Sequence, residues 1–424
     1  MEAIGKPRGG TPAVLVLFFV GAFAMGSAEL LVMGMLDLIS ADLAVSIPVA
    51  GTLVTAFALG MALGGPLLAL LTAHLDRRAV LVGAVAAFAL LNLMPVLVAD
   101  YTLFLVARAG VGATEGLFVA AALTALDGVV PRDRAGRAMG VVITGFAAAS
   151  AVGMPLASLL GRELGWRVSF VGLAVIGVGV VLAALLVLPP VPVASASRTA
   201  GAQLRHAFAP RVLAVLALCC LVFAGVQSAL TYLVPYLGEV TGVTGPLVVG
   251  VLFAFGVATT VGSAVGSRFA DAHAVRALRY GTIGLMISLL VMFFFGGQVT
   301  VAVLAIVGVG LFAMGMAPAM QSRVMSLAGP GAALAASLPA SASNAGDAVG
   351  ALLGGAAIGQ AGLAAAVLAG AVVAATAVVV AVATGRLRPQ APAAEAAPQT
   401  AEPRRVEPGA GTPTEALAAR GQAD

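Results

Sequence analysis

The sequence predicts an all-α integral membrane protein with twelve transmembrane helices in two six-helix halves and both termini in the cytoplasm. Three observations support this fold class: the composition, a series of apolar runs and the distribution of basic residues. Of 424 residues, 61% are hydrophobic and only 9% are charged, and the mean hydropathy is +1.09. Because soluble domains carry roughly 25% charged residues, this composition indicates a chain that is solvated by a lipid bilayer.

Twelve runs are long enough to cross that bilayer, since a spanning helix needs about 20 mostly apolar residues. They lie at 12–37, 49–72, 79–98, 102–126, 138–161, 168–188, 211–237, 246–270, 276–296, 299–322, 332–358 and 361–384. The pattern is least regular where Pro318, Pro330 and Pro339 interrupt it. Such breaks are tolerated where neighbouring helices or a cavity satisfy the backbone. None of the runs alternates as a transmembrane β-strand would.

The remaining segments divide the chain into parts. These are a cytoplasmic N-terminus (1–11), a first six-helix half (12–188), a cytoplasmic linker (189–210), a second six-helix half (211–384) and a disordered cytoplasmic tail (385–424). A weak repeat relates 64–81 to 262–278, since each is a Gly-rich helix end, a short charged turn and a new helix. Two similar six-helix halves are the plan of many secondary transporters.

The basic residues orient the chain. Nineteen of the 22 Lys and Arg residues fall in segments predicted to be cytoplasmic, two (Arg162 and Arg167) fall outside, and Arg108 falls within a span. This is the positive-inside pattern, so the pI near 9.6 reflects topology and not nucleic-acid binding. The excess of Arg over Lys is typical of bacteria with a high GC content. We expect a multi-pass monomer in a bacterial inner membrane, with the bilayer, protons and a small-molecule substrate as its partners.

Enzyme chemistry has little support in the sequence. The one lysine, Lys6, precedes Pro7, which excludes a phosphate-binding loop ending in Gly-Lys-Ser/Thr. The three histidines lie in predicted turns without metal-binding spacing, and the adjacent Cys219 and Cys220 suggest no disulfide framework. We therefore predict no enzymatic activity, no metal site and no cofactor.

Four charged residues lie well inside predicted spans: Glu29, Arg108, Glu115 and Asp347. A charge at this depth costs at least about 2.5–3.5 kcal/mol, so it should face a partner or a cavity. At about 1.5 Å of rise per residue, Glu29 lies roughly 12 Å and Arg108 roughly 10 Å below the same outer face. The two residues should therefore lie at one level.

Each of these charges has two interpretations. Glu29 is either a proton carrier, whose ionisation changes as its contact with Arg108 changes, or half of a fixed bridge that orients helices. Glu115 either lines the substrate cavity or balances Arg108, and Asp347 either binds substrate or pairs with another group. Weaker candidates for the cavity are Gln227, Tyr232 and Asn344. Tyrosine near a membrane face is ordinarily an interface anchor. The Met and Phe residues are interpreted as ordinary packing, with the alternative that an apolar, adaptable pocket uses some of them.

Several stretches resemble one family in the same order along the chain. "GSAELLVMGMLDLISADLAVSIPVAGTLVTAFALG" resembles the first two helices of the twelve-helix drug:proton antiporters of the major facilitator superfamily, and includes their acidic residue as Glu29. "GVGATEGLF" follows Arg108, which corresponds to an arginine linked in that family to proton coupling. "GFAAASAVGMPLASLLG" resembles the antiporter motif through Gly145, Gly153 and Pro155. The resemblance covers about 12–385. Within the family, the sequence is similar to bacterial chloramphenicol-type efflux transporters.

The inner loop motif of that superfamily, Gly-x-x-x-Asp-Arg-x-Gly-Arg-Arg, is only partly present. The first half keeps Arg77 and Arg78 but has Ala73 in place of the aspartate, whereas the second half keeps Asp271 and Arg276. The resemblance implies that these residues form the inner gate, although the losses weaken that expectation for the first half.

The resemblance implies proton-coupled export of small, largely apolar compounds, with chloramphenicol-like molecules among them. Glu115 and Asp347 are not expected at those positions in the resembling family, and they would suit a cationic or more polar substrate. An exporter of sugars, amino acids or a pathway metabolite with the same fold is the alternative. The single tryptophan, Trp166, lies at a predicted outer turn, which argues mildly against a sugar. A sensor or scaffold would need a soluble domain, which neither the linker nor the tail offers.

Overall fold

The computed structural model describes residues 10–129, 135–189 and 205–388, and within these ranges the secondary structure is helical, without a strand. The all-α prediction is therefore confirmed. The predicted N-terminal segment, linker and tail lie largely outside the described residues.

Twelve long helices occur in the described part of the chain. They are α1 (Gly10–Gly34), α2 (Ile47–Leu71), α3 (Arg77–Leu97), α4 (Tyr101–Val129), α5 (Ala138–Leu164), α6 (Trp166–Val187), α7 (Pro210–Leu230), α8 (Pro246–Ala270), α9 (Ala272–Phe295), α10 (Val299–Ala328), α11 (Leu338–Ala361) and α12 (Leu363–Thr384). Their order matches the twelve predicted runs. Short helices follow α1, α7 and α10 at Leu36–Asp42, Leu233–Tyr236 and Ala332–Ala335.

Eleven of these described helices, all except α11, are long and apolar enough to cross a membrane. Helix α11 has sufficient length at 24 residues, but Asn344, Asp347 and Gln360 lower its hydropathy. It packs against α2, α7 and α12, so much of its surface contacts protein. A helix enclosed in this way can carry polar groups that a lipid-exposed helix cannot.

Local sequence explains where several helices begin and bend. Proline occupies the first turn of α7 and of α8, where its missing N–H leaves no bond unmade. Asp76 caps α3 by accepting a hydrogen bond of 3.0 Å from the Ala79 backbone N–H. Backbone angles at His273 (φ −135°, ψ 28°) are not helical and bend the chain between α8 and α9.

Glycines allow pairs of helices to approach closely. A methyl group on Gly64 of α2 would overlap Ala113 of α4, and one on Gly262 of α8 would overlap the Leu311 carbonyl of α10. Such contacts matter in lipid, where dispersion forces between closely packed helices replace the hydrophobic effect.

One end of the bundle, which we call the Asp37 end, joins the first six helices to the last six. Leu36–Asp42 contacts Leu233–Tyr236 there, and Gly355 of α11 lies against Pro48 of α2. Helix α5 contacts α8 mainly through residues 149–164, the part nearer this end. These contacts close the Asp37 end.

Ion pairs and stacked rings also gather at the Asp37 end. Arg162 bonds Asp37 at 3.1 Å, and Arg167 bonds Asp42 at 2.7 Å. Trp166, predicted to lie at an outer turn, begins α6 and stacks on Phe104 of α4 with a centroid distance of 5.6 Å. The ion pairs were not predicted, because their partners are 125 positions apart in the sequence.

Candidate functional site

A cavity of ≈ 260 Å³ lies at the centre of the bundle, below the closed Asp37 end. Its described lining comes from α1, α5, α7, α8, α10 and α11. The lining residues are Gly26, Glu29, Leu30, Met33, Ile143, Phe146, Ala147, Ser150, Phe223, Val226, Gln227, Leu230, Phe255, Thr259, Thr260, Ser263, Ala313, Met314 and Asp347. The wall is mostly apolar, with a few polar groups, as is usual for sites that bind small molecules.

Two carboxyl groups enter this cavity from opposite halves of the chain. Glu29 comes from α1 and Asp347 from α11, and both side chains are half-buried. Their charges interact across the cavity, yet neither carboxylate forms a hydrogen bond or an ion pair with a described residue. None of the described lining residues is Lys, Arg or His. The cavity therefore has an acidic character and free acceptor groups.

Arg108 lies behind α1 and not in the cavity lining. Its side chain is only 1% exposed. Its Nη1 donates to the Ala28 carbonyl at 2.8 Å, its Nε donates to the Leu53 carbonyl at 3.5 Å, and its Cζ lies 4.6 Å from the centre of the Phe57 ring. Because Ala28 precedes Glu29, arginine and glutamate are at one level, as their depth in the sequence suggested.

No direct bridge joins Glu29 to Arg108 among the described ion pairs. The two groups interact electrostatically, and Nη2 of Arg108 has no hydrogen-bond partner. In this conformation, therefore, Glu29 and Arg108 do not form the fixed salt bridge that was one interpretation of the pair. The guanidinium is held by backbone carbonyls, while the carboxylate faces the cavity.

Glu115 is fully buried on the face of α4 that packs against α1. It is 0% exposed, and neither carboxylate oxygen has a hydrogen-bond partner. One turn further along α4, Phe118 packs against Gly21 of α1. Glu115 interacts electrostatically with Arg108 and lies outside the described cavity lining. Its position agrees with the interpretation that it balances Arg108.

The three weaker candidates occupy different places. Gln227 lines the cavity, and its Nε2 lies 3.2 Å from the sulfur of Met33. Tyr232 donates to the Ala351 carbonyl at 2.8 Å and so ties the end of α7 to α11. Asn344 donates to the Ala340 carbonyl at 2.9 Å, and its buried Oδ1 has no partner. Neither Tyr232 nor Asn344 belongs to the cavity lining.

The antiporter-motif residues shape the wall that α5 contributes. A methyl group on Gly145 would overlap the Phe19 carbonyl of α1, and one on Gly153 would overlap the Ser27 hydroxyl. Gly153 ends a π-helical turn at Ala149–Gly153, and Pro155 follows in the first turn of the next α-helical segment. The motif therefore brings α5 close to α1, immediately beside Glu29.

The loop residues predicted to form an inner gate lie at the opposite end of the bundle. Arg78 donates to the Leu185 carbonyl at the end of α6. Arg77 begins α3, and Arg276 is exposed near the start of α9. The side chain of Asp271 lies outside the described residues.

Some cavity residues were not identified from the sequence. Phe146, Phe223 and Phe255 line the cavity, so for them the alternative of an apolar pocket applies and the packing interpretation does not. Thr259 and Thr260 line it as well. An adjacent pair of hydroxyl side chains inside an apolar run was a signal that could have identified the threonines, whereas the phenylalanines resemble any other apolar residue of a span.

Comparison with known proteins places the chain in a family. The family model described as Major Facilitator Superfamily matches residues 17–338. The chain is 31% identical over 342 residues to the inner membrane transport protein YdhP of Escherichia coli, covering 80% of this chain and 87% of YdhP. It is 33% identical over 356 residues to a chloramphenicol resistance protein of Streptomyces lividans, covering 81% of this chain and 88% of that protein.

A solved structure has the same fold. The crystal structure of a bacterial homologue of the human lysosomal transporter Spinster, inward-facing and unoccupied, matches with a TM-score of 0.76. The match covers 89% of this chain and 98% of that chain at 16% sequence identity. Sequence and fold thus lead to one assignment, which confirms the resemblance seen in the sequence: the chain is a multi-pass membrane transporter that belongs to the Major Facilitator Superfamily.

Proposed function

We propose that this transporter exports small, largely apolar compounds in exchange for protons. The observation that carries the proposal is the central cavity, in which the unpaired carboxyl group of Glu29 faces a mostly apolar and aromatic wall. An intramembrane acid without a partner is costly, and it is therefore a candidate for proton transfer. The similarity to a chloramphenicol resistance protein supports an efflux function.

The orientation in the membrane follows the basic residues. The Asp37 end faces the exterior, and both termini, the linker and the loops that carry Arg77, Arg78 and Arg276 face the cytoplasm. All twelve helices span the bilayer as two six-helix halves. Since the exterior end is closed, this conformation receives substrate from the cytoplasm.

Exchange requires that Glu29 hold a proton in one orientation and lose it in the other. An apolar surrounding favours the neutral carboxyl, whereas a nearby guanidinium favours the carboxylate. Glu29 and Arg108 belong to the same half, so rocking of the two halves must be accompanied by a shift of α1 within the first half that alters the distance from Glu29 to Arg108. A proton taken up at the exterior side is then released to the cytoplasm, and the substrate moves in the opposite direction.

A susceptibility panel tests this proposal. The wild type and Glu29→Gln are produced at equal membrane abundance in a host that lacks its own efflux pumps. We expect the wild type to raise tolerance to lipophilic compounds and Glu29→Gln to lose that protection. Glu239→Gln, which removes an exposed carboxyl group outside the cavity lining, is the matched control and should retain it. Equal protection by the wild type and Glu29→Gln would contradict the proton-exchange mechanism.

A second candidate function is export of a polar metabolite such as a sugar or an amino acid. The cavity wall contains Gln227, Thr259, Thr260 and Ser263, which supply donors and acceptors for hydroxyl or amino groups. Including sugars and amino acids in direct transport assays separates the two candidates. Accumulation of these solutes in inverted vesicles, without transport of lipophilic compounds, would favour the second.

A further inference from the structure

Two further cavities meet at the bend between α8 and α9, and they share no lining residue with the central cavity. One has a volume of ≈ 530 Å³ and lies between α8, α9 and α10. The other has a volume of ≈ 480 Å³ and lies between the bend and the end of α10. His273 and Arg276 line both cavities, so the two adjoin at the bend.

The first cavity is an apolar groove. Besides the two shared residues, its lining is Gly262, Val265, Gly266, Phe269, Ala277, Tyr280, Gly281, Leu311, Phe312, Gly315 and Met316. The groove is deep at Gly262 and Gly266 of α8, because these residues have no side chain and contact the backbone of α10 directly. Phe269 is 52% exposed and Tyr280 is 70% exposed. Exposed aromatic side chains on a membrane helix indicate a surface that contacts lipid.

The second cavity is polar and positively charged. Its described lining includes Ser322, Arg323 and Ser326 of α10 besides His273 and Arg276. Arg323 is fixed in place, because its Nη2 donates to the carbonyls of Thr384 and Leu387.

Arg276 is the charge in this pair of cavities that is available for binding. It is exposed, and it forms no hydrogen bond or ion pair with any residue that the structure describes. None of the described lining residues of either cavity is acidic. Among the described lining residues, an anion at this place therefore meets two guanidinium groups and no carboxylate.

We propose that this pair of cavities is a binding site for one anionic phospholipid. The phosphate lies beside Arg276 in the polar cavity, and an acyl chain follows the apolar groove from Phe269 towards Gly262, a distance of roughly 11 Å along α8. The occupant must be an amphiphile, because the charged and apolar parts share one mouth at the bend. Basic pockets between transmembrane helices at the cytoplasmic side are suited to anionic headgroups. The inference is independent of proton exchange.

Native mass spectrometry of the full-length protein tests the site. Protein in detergent is titrated with phosphatidylglycerol, with phosphatidylcholine and with glycerol phosphate, which is the headgroup without acyl chains. We expect one phosphatidylglycerol to bind in preference to phosphatidylcholine, and glycerol phosphate not to bind. Arg276→Gln should weaken phosphatidylglycerol binding about fivefold, since one basic residue at a membrane surface contributes that much.

Two further variants keep the test decisive. Arg268→Gln removes an exposed arginine of α8 that lines neither cavity, and it should bind phosphatidylglycerol as the wild type does. Val265→Trp fills the groove and should weaken binding of the lipid while leaving the charges intact. Thermal unfolding shows whether each variant is folded. Equal binding by Arg276→Gln and Arg268→Gln, equal affinity for both lipids, or tight binding of glycerol phosphate alone would overturn the proposal.

Discussion

The first six helices and the last six contain an equivalent glycine-mediated helix contact, α2 with α4 and α8 with α10, but among the described residues only the first of these contacts has buried charged residues beside it. Gly262 and Leu311, which touch between α8 and α10, lie 198 positions after Gly64 and Ala113, which touch between α2 and α4. The same offset matches each intramembrane charge with a neutral residue. The pairs are Glu29 with Gln227, Arg108 with Ile306, Glu115 with Ala313, and Asp347 with Ala149.

This difference shows that the packing does not require the charges. Ile306 and Ala313 are buried in α10, where Arg108 and Glu115 are buried in α4. A neutral version of the contact therefore exists in the same molecule, without the cost of about 2.5–3.5 kcal/mol for each buried charge. We infer that the charges in the first half serve transport and are not needed for helix packing. The second half contributes one intramembrane acid, Asp347, which lines the cavity as Glu29 does.

Arg108→Ile, which gives the first half the residue of the second, should have the largest effect. Transport driven by a pH gradient should be lost, and the protein should be destabilised by about 3–5 kcal/mol, because Glu115 is left buried without a cation. Transport in proteoliposomes and thermal unfolding in detergent measure the two effects.

The double variant Arg108→Ile/Glu115→Ala separates the effect on transport from the effect on stability. Since both buried charges are removed, thermal stability should largely recover, while pH-driven transport should remain absent. Recovery of transport together with stability would mean that the charges serve only the fold.

The contacts at Gly64 and Gly262 should differ in whether a second substitution can restore the stability lost on Gly→Ala. Gly64→Ala and Gly262→Ala should each destabilise the protein by about 1–3 kcal/mol through overpacking. Ala113→Gly should rescue the first, because the obstacle is a side-chain methyl group, but no side-chain change at Leu311 should rescue the second, because the obstacle is a backbone carbonyl. Thermal unfolding of the single and double variants checks this, and rescue of Gly262→Ala by Leu311→Gly would contradict the predicted difference between the two contacts.

The helical architecture was largely predictable, whereas the site was only partly so. Apolar runs determine where spans lie, because the bilayer demands one length, and depth along a span placed Glu29 level with Arg108. The sequence did not indicate which faces meet. Tyr232 and Asn344 looked like cavity residues, but Tyr232 bonds to a backbone carbonyl of α11, Asn344 bonds to one within its own helix, and neither lines the cavity. Phe255 looked like packing but lines the cavity. Such assignments depend on the rotation of each helix, which weak amphipathicity in lipid leaves unspecified.

Asp347→Asn should change the choice of substrate and not the use of protons. We expect about a tenfold loss of transport for organic cations, because a charged partner is removed from the cavity, with a smaller change for neutral compounds. Asp347→Glu is the control that retains the charge. Uptake into inverted vesicles with one cationic and one neutral compound measures the difference. Loss of all pH-driven transport would instead place Asp347 in the proton pathway.

The smallest effect is expected at the Asp37 end, where ion pairs occur only in the first half of the described chain. Arg162→Gln breaks the pair with Asp37, whose side chain is 34% exposed. An exposed pair contributes about 0–1 kcal/mol, so the melting temperature should change little. A large loss of stability would mean that this pair, and not the helix contacts, holds the Asp37 end closed.

Proton movement caused by substrate tests the central claim, the proton exchange at Glu29, most directly. Purified protein in proteoliposomes that contain a pH-sensitive dye receives substrate, and the lumenal pH is followed for the wild type and for Glu29→Gln, which copies Gln227 of the second half. We predict a substrate-dependent proton flux in the wild type and none in Glu29→Gln, with substrate binding retained in both. An equal flux from Glu29→Gln would contradict the account.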